Sequence, residues 1–193
     1  RIMINKVIYL SRHGKSKFNV EKLIGGNSDL TLEGMRYSKL LFDFFKDKKI
    51  KVWTSQLKRT IQTGQYFYQN KIQRFCELNE INSGICDSMT YQQIEEKYPE
   101  EFHKRKNNKY FYRYPEGESY YDINQRLKNI YKKIDDSQED ILIIAHQAVL
   151  RVLISNYIKR DIEDIPYLDI SLNTIYKITI KKDSYEIDKF KLI

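Results

Sequence analysis

The sequence predicts an α/β fold: a three-layer sandwich in which helices cover both faces of a mainly parallel central sheet. Short runs that are apolar on both faces occur at residues 7–10, 51–53 and 141–145. Such runs are typical of strands buried between helices. Stretches with the apolar spacing of amphipathic helices lie between them. Together, these two patterns indicate a sheet with helices on each side.

The first half of the chain contributes three predicted strands and one long helix. Residues 7–10 form a strand that ends at Ser11 and Arg12. Apolar residues then recur at helical spacing over 32–45, after Thr31, a residue type that favours the N-cap position. A second strand is predicted at 51–53, and a third at 74–78, just before Glu80.

The second half repeats this alternation and ends differently. Apolar residues at 123, 127, 130 and 134 predict a helix, and residues 141–145 predict a strand. A further helix is expected over 149–157. Apolar and polar residues alternate over 174–180 and 185–192, which predicts a terminal hairpin that turns at Lys182 and Asp183.

The composition is that of a globular chain, and 1–193 is interpreted as a single domain without repeats or linkers. Only two cysteines are present and no apolar run could span a bilayer, so a reducing, cytoplasmic location without a membrane partner is expected. The net charge of +8 favours anionic partners, including phosphorylated substrates. The chain begins at Arg1 rather than Met, which is consistent with a piece of a longer protein.

Two of the three histidines follow predicted strands: His13 the first, and His146 the strand at 141–145. Open parallel sheets bind ligands at the carboxyl ends of their strands. A neutral imidazole can attack phosphorus directly, and the guanidinium of Arg12 matches phosphate oxygens. Arg59, at the start of a helix, could add a second guanidinium, and Glu80 a general acid. On local sequence alone, Arg59 could be a surface arginine, and a solvated loop glutamate is the better explanation of Glu80.

The order of these motifs settles the choice between those explanations. The strings YLSRHG at 9–14, KRT at 58–60, NEI at 79–81 and AHQ at 145–147 resemble the motif set of the histidine phosphatase (phosphoglycerate mutase-like) superfamily. Within that superfamily, IGG at 24–26, YPEEF at 98–102, YRYPEGESY at 112–120 and HQAVLR at 146–151 are similar to the bisphosphatase domain of bifunctional 6-phosphofructo-2-kinase/fructose-2,6-bisphosphatases. The similarity covers nearly the whole chain.

The resemblance implies a function and a role for each matching residue. It implies hydrolysis of fructose 2,6-bisphosphate to fructose 6-phosphate through a phosphohistidine on His13, with Glu80 as general acid. Arg12, Arg59, Asn19 and His146 would surround the transferring phosphoryl group. The sugar and its 6-phosphate would contact the backbone of Gly25 and the side chains of Tyr91, Arg105, Lys109, Tyr120, Gln147 and Arg151. No metal or other cofactor is expected.

The resemblance also implies a partner and leaves alternatives open. Such enzymes carry a kinase domain before the bisphosphatase, but no P-loop motif is present in this sequence. No nucleic-acid motif accompanies the basic, aromatic segment at 105–120, so the expected ligand is a small sugar bisphosphate. A phosphoglycerate mutase or another histidine phosphatase with a different phosphorylated substrate is one alternative. A weakly active domain that senses sugar phosphate is the other.

Overall fold

A computed structural model describes residues 5–193 and contains a six-stranded sheet of strand order β3-β2-β4-β1-β5-β6. The strands are β1 (Lys6–Arg12), β2 (Ile50–Thr54), β3 (Ile72–Arg74), β4 (Asp140–Ala145), β5 (Thr174–Ile180) and β6 (Tyr185–Lys191). Strands β1 to β4 pair in parallel, whereas β5 and β6 add an antiparallel hairpin beside β1. The predicted mainly parallel sheet and terminal hairpin are therefore confirmed.

Eight α-helices connect and cover the strands described. They are α1 (Lys17–Glu21), α2 (Leu32–Phe45), α3 (Lys58–Thr63), α4 (Tyr91–Lys97), α5 (Pro99–Asn107), α6 (Tyr120–Arg126), α7 (Lys128–Asp136) and α8 (Gln147–Ser155). The hydroxyl of Thr31 accepts the Gly34 N–H at 3.2 Å, so Thr31 caps α2 as predicted.

The sheet separates two apolar layers because successive strand side chains point to opposite faces. Ile8 and Leu10 of β1 pack with residues of α6, α7 and α8 on one face. Tyr9 packs on the other face with residues of α2, among them Tyr37 and Leu41. Each fully buried aliphatic side chain contributes about 1.5–3 kcal/mol to folding, so both layers hold the sheet between helices. The predicted three-layer sandwich is confirmed.

Two predicted elements differ from the structure. The strand expected at 74–78 is displaced: β3 ends at Arg74, and Cys76–Leu78 form a 3₁₀ turn that buries Leu78 completely. Only three residues of β3 pair with β2, so the chain leaves the sheet edge early. The helix expected over 123–134 is two helices that meet at Leu127, and the apolar spacing continues across the junction because Leu127 itself is buried.

A smaller apolar cluster lies apart from the two main layers. It is centred on Cys86, Ile94 of α4 and Tyr114, and it includes the partly buried Phe102 of α5. This cluster supports the segment that carries Tyr91 and Arg105. Among residues 5–193, no helix combines the length and the apolar character needed to cross a membrane.

Candidate active site

His13 and His146 meet at the carboxyl ends of β1 and β4. These neighbouring strands pair in parallel, with Arg12 opposite Ala145, and the His13 N–H donates to the Ala145 carbonyl at 3.0 Å. The imidazole ring centroids lie 5.3 Å apart, with the ring planes inclined at 52°. Strand pairing therefore brings together the two histidines that sequence position had singled out.

His13 has the protonation state of a nucleophile. Its side chain is only 4% exposed, and its Nδ1 lies 2.6 Å from the Gly14 carbonyl. A carbonyl can only accept, so Nδ1 carries the proton and Nε2 keeps its lone pair. Burial, reinforced by the positive charges of Arg59 and Arg12, holds the pKa of His13 well below its ordinary value. The ring is therefore neutral at neutral pH.

His146 is completely buried and contacts one of a hydrogen-bonded pair of hydroxyl groups. Its Nε2 lies 2.8 Å from the Ser55 hydroxyl, which also contacts the Thr60 hydroxyl at 2.7 Å. Its Nδ1 has no hydrogen-bond partner among the described residues. Burial, together with the nearby charge of Arg59, holds the pKa of His146 well below its ordinary value. The His146 ring is therefore neutral, and one of its nitrogens has no partner among the described residues.

Two guanidinium groups flank the histidines. Arg59, the second residue of α3, is 4% exposed and donates to the Gly26 carbonyl at 2.9 Å. Arg12 donates to the Ile170 carbonyl at 3.1 Å, and its Nε has no partner among the described residues. Each group keeps several N–H donors for an anion, and burial lowers both pKa values without removing the charge.

Glu80 follows the 3₁₀ turn at Cys76–Leu78 and lies at the same edge of the sheet. Its Oε1 accepts the N–H of Ile81 at 2.9 Å, and its Oε2 accepts the Ala148 N–H in the first turn of α8 at 3.4 Å. The carboxyl group thus lies between its own loop and the helix that follows His146.

The other end of the cleft carries a second group of cations and tyrosines. The Arg105 guanidinium lies over the Tyr91 and Tyr114 rings, 5.2 and 5.5 Å from their centroids. Arg151, on α8, donates to the Tyr120 hydroxyl at 3.1 Å. Cations that are fixed by aromatic rings and hydroxyls suit a site that holds an anion without reacting with it.

Most of the residues predicted for the site line this one cleft. They are Arg12, His13, Asn19, Gly25, Arg59, Glu80, Tyr91, Arg105, Tyr120, Gln147 and Arg151. His146 does not line it, although its ring centroid lies 5.3 Å from that of His13. Gly25 has a φ of 72°, and a side chain there would overlap the Asp87 carboxylate, so glycine is required.

Lys109 is the other predicted residue that does not line the cleft. Its Nζ donates to the Pro166 carbonyl at 3.0 Å and lies 4.7 Å from the centroid of the Tyr167 ring. Burial, aided by the charges of Arg105 and Arg151, lowers the pKa of Lys109 to about 7. The ammonium group therefore lies at the margin of the cleft, and it loses its proton near neutral pH.

Three of the cations share one backbone support, which we call the carbonyl segment, residues 166–170. The carbonyl groups at positions 166, 168 and 170 accept hydrogen bonds from Lys109 at 3.0 Å, from Arg151 at 2.7 Å and from Arg12 at 3.1 Å. Alternate carbonyl groups of one segment thus bind cations from both groups in the cleft.

Several residues of the site were not predicted. Ser16, Phe18, Ile81 and Ser83 line the cleft, and Ser55 holds His146. Ser55 follows β2 at the same sheet edge as the histidines, so the rule that found His13 and His146 could also have found it. Among residues 5–193, no group of three or more His, Cys, Asp or Glu side chains is arranged to hold a metal ion.

Comparisons with known proteins agree with this geometry. The model of the histidine phosphatase superfamily (branch 1) matches residues 8–192. The chain is 44% identical over 177 residues to 6-phosphofructo-2-kinase/fructose-2,6-bisphosphatase of Gallus gallus, and 44% identical over 175 residues to 6-phosphofructo-2-kinase/fructose-2,6-bisphosphatase 1 of Homo sapiens. The alignments cover 90% and 89% of this chain but only 37% of each relative, so the chain spans little more than a third of their length.

Solved structures show the same fold at lower sequence identity. An α-ribazole phosphatase from Shigella flexneri has a TM-score of 0.85 at 22% identity, with 96% of each chain covered. A mycobacterial glucosyl-3-phosphoglycerate phosphatase has a TM-score of 0.81 at 16% identity, covering 98% of this chain and 100% of its own. These structures share the phosphoglycerate mutase-like architecture.

Proposed function

Because the chain belongs to the histidine phosphatase superfamily and is a phosphatase, we propose that it hydrolyses fructose 2,6-bisphosphate to fructose 6-phosphate and phosphate. The names of relatives at 44% identity over about nine-tenths of the chain support this substrate. Those relatives are much longer than this chain, and we extend the proposal to a kinase domain in the full-length protein and to a cytoplasmic location.

The observation that carries the proposal is the presence of two cation groups in one cleft. Arg12 and Arg59 are the charged neighbours of His13, whereas Arg105 lies over two tyrosine rings and Arg151 donates to the Tyr120 hydroxyl. A substrate with two phosphates needs one site for chemistry and another that only binds. A bisphosphorylated sugar therefore pairs one phosphate with each group of cations, whereas a monophosphate leaves one group without an anion.

Phosphoryl transfer to His13 is the first half of the reaction. The lone pair on Nε2 attacks the phosphorus of the 2-phosphate, and the bond from phosphorus to the fructose 2-oxygen breaks. Glu80, in its protonated form, gives its proton to the departing oxygen. Arg12 and Arg59, with the amide of Asn19 and the free Nδ1 of His146, stabilise the charge on the transferring group. Fructose 6-phosphate leaves.

Hydrolysis of the phosphohistidine completes the cycle. The Glu80 carboxylate accepts a proton from water as the water oxygen attacks phosphorus, and the bond to Nε2 of His13 breaks. The imidazole returns to its neutral form with Nδ1 still donating to the Gly14 carbonyl. Glu80 is protonated again when phosphate departs.

The test uses fructose 2,6-bisphosphate labelled at the 2-phosphate, with wild-type protein, His13→Ala and Glu80→Gln. Wild type should release labelled phosphate and carry transient label on the protein, and His13→Ala should lose both. Glu80→Gln should slow transfer by about 10²–10⁴-fold. Cleavage of 3-phosphoglycerate or another ester in place of this sugar would contradict the substrate assignment. Binding of fructose 6-phosphate without turnover would support the sensor alternative.

A further inference from the structure

The main chain of the loop that carries Glu80 accepts hydrogen bonds from one arginine. Arg126, the last residue of α6, donates through Nη1 to the Glu77 carbonyl. Its Nη2 donates to the Asn79 carbonyl at 2.7 Å and to the Glu80 carbonyl at 3.3 Å. Three backbone carbonyl groups on one side of the loop thus accept hydrogen bonds from a single guanidinium group.

Glu118 holds the other side of the loop and the arginine together. Its carboxylate accepts from Arg126 Nε at 2.9 Å and from Nη2 at 3.3 Å. The same carboxylate accepts the Asn82 N–H at 2.9 Å, and the Glu118 N–H donates to the Asn82 carbonyl at 2.8 Å. Both flanks of Glu80 are therefore tied to one ion pair, whose side chains are 21% and 23% exposed.

We propose that Arg126, paired with Glu118, is a positioning residue that places Glu80 for proton transfer to the leaving oxygen. This inference rests on the proposed role of Glu80 as general acid. Arg126 does not line the cleft of His13, so it acts through the loop rather than on the substrate. Within residues 5–193, the Glu80 carboxyl accepts hydrogen bonds only from the Ile81 and Ala148 N–H groups, at 2.9 and 3.4 Å. Its place is therefore set mainly by the backbone that Arg126 holds.

A displaced general acid affects some substrates more than others. The fructose 2-oxygen leaves as a strongly basic alkoxide unless it is protonated, whereas p-nitrophenolate leaves readily without a proton. A defect confined to proton donation therefore slows transfer from the sugar ester and spares the aryl ester. A defect in folding or in His13 slows both.

The experiment measures single-turnover formation of the labelled phosphohistidine from fructose 2,6-bisphosphate and from p-nitrophenyl phosphate. The variants are Arg126→Met, Arg126→Lys, Glu118→Gln and Glu80→Gln. The control is Arg113→Met, because Arg113 also forms an ion pair with a carboxylate, that of Asp122 on α6 at 2.7 Å, but makes no hydrogen bond to the Glu80 loop among the described residues. All rates are compared at matched folded fractions, measured by chemical denaturation.

We expect Arg126→Met to slow transfer from the sugar ester by about 10²-fold, because a displacement of about 1 Å costs that much in a positioned group. Transfer from the aryl ester should change far less, and Glu80→Gln should show the same selectivity. Arg126→Lys keeps the charge and should restore part of the rate. Glu118→Gln frees the arginine and should repeat the effect in milder form, which preserves the test if Arg126→Met folds poorly. Arg113→Met should leave both rates unchanged.

Two results would overturn the inference, and they differ in what else they overturn. If Glu80→Gln is selective for the sugar ester but Arg126→Met slows both esters equally, Arg126 is only structural and the proposed function stands. If Glu80→Gln itself shows no selectivity, the general-acid assignment fails and the inference fails with it. If another sugar phosphate proves to be the substrate, the same comparison is made with that ester.

Discussion

The side-chain hydroxyl of Ser55 lies 2.8 Å from Nε2 of His146, and it also accepts the Leu57 N–H at 3.1 Å. The Thr60 hydroxyl can donate to the Leu57 carbonyl at 2.9 Å or to Ser55. When the Ser55 hydroxyl donates its hydrogen bond to Nε2, Nδ1 of His146 is the protonated nitrogen and can donate to a phosphoryl oxygen. The direction of the hydrogen bond between Ser55 and His146 therefore decides which nitrogen of His146 carries the proton.

The first prediction concerns Ser55→Ala, which leaves Nε2 of His146 buried without its partner. We expect the free energy of unfolding to fall by about 1–3 kcal/mol, the usual cost of an unsatisfied buried polar group. The His146 tautomer should also shift, with lower kcat, as followed by ¹⁵N NMR of the imidazole and by turnover. Ser88→Ala, at an exposed serine, is the control. An unchanged tautomer in Ser55→Ala would contradict the assignment.

The second prediction is that the protein loses stability below about pH 6.5, the ordinary pKa of histidine. The pKa values of His13 and His146 are lowered by folding, so the unfolded chain binds more protons than the folded chain as pH falls through this range. The free energy of unfolding should decrease by up to about 1.4 kcal/mol per pH unit for each histidine. Urea titrations from about pH 7.5 to about pH 5.5 measure this slope.

Removal of one histidine provides the check on that slope. His13→Gln should reduce it by about 1.4 kcal/mol per pH unit, because one of the two neutral buried rings is gone. His103, exposed on α5, offers a matched replacement, and His103→Gln should leave the slope unchanged. Equal slopes in wild type and His13→Gln would show that His13 is charged in the folded state.

The third prediction compares two glycines. A methyl group on Gly14 would lie 2.6 Å from the Gly34 carbonyl oxygen and 2.8 Å from its Cα, so backbone would have to move. We expect Gly14→Ala to lower the free energy of unfolding by about 1–3 kcal/mol and to reduce phosphohistidine formation. At Gly64 the nearest atoms are 3.6 Å away, and Gly64→Ala should stabilise by about 0.4–1 kcal/mol. Thermal denaturation and labelling distinguish the two; equal tolerance would contradict the close approach.

The fourth prediction concerns the pH dependence of sugar-phosphate binding. Lys109 has a pKa of about 7, so its positive charge is present below that pH and is lost above it. The affinity of His13→Ala for fructose 6-phosphate, measured by calorimetry, should therefore fall as pH rises from about 7 to about 9, a range in which the phosphate remains a dianion.

A matched pair of variants isolates Lys109 as the cause. Lys109→Arg keeps its charge throughout this range and should remove the loss of affinity at high pH. Lys109→Met should bind weakly at every pH in the range, with a flat profile. If the affinity for fructose 6-phosphate still falls with rising pH after Lys109→Met, the titrating group is a different residue.

Much of the fold could be predicted because the decisive patterns are local. The apolar runs of β1, β2 and β4 are bounded by polar residues, and Thr31 gives the start of α2. The misplaced third strand shows the limit of such patterns. Residues 74–78 are apolar enough to form a strand, but β2 ends at Thr54, opposite Arg74, and this register is a property of the assembled sheet.

The candidate site likewise contains some features that could be predicted from the sequence and others that could not. Residues at strand ends, such as His13 and His146, could be found from position, and the ordered motifs supplied further lining residues such as Arg105 and Arg151. The contacts that the supporting residues make could not be found from the sequence. The contact of Ser55 with His146 spans 91 positions, and those of Arg126 with the Glu80 loop span 46 to 49. Long-range pairs of this kind follow from packing.

The carbonyl segment at 166–170 accepts hydrogen bonds from Lys109, Arg151 and Arg12 through main-chain oxygen atoms at alternate positions. Every amino acid supplies the same oxygen, so substitutions in this segment preserve the support as long as the chain keeps its path. The carbonyl acceptors therefore constrain the length of this segment rather than the identity of its residues. One inserted or deleted residue would shift the alternation by a position and misalign the cations at both ends of the cleft together.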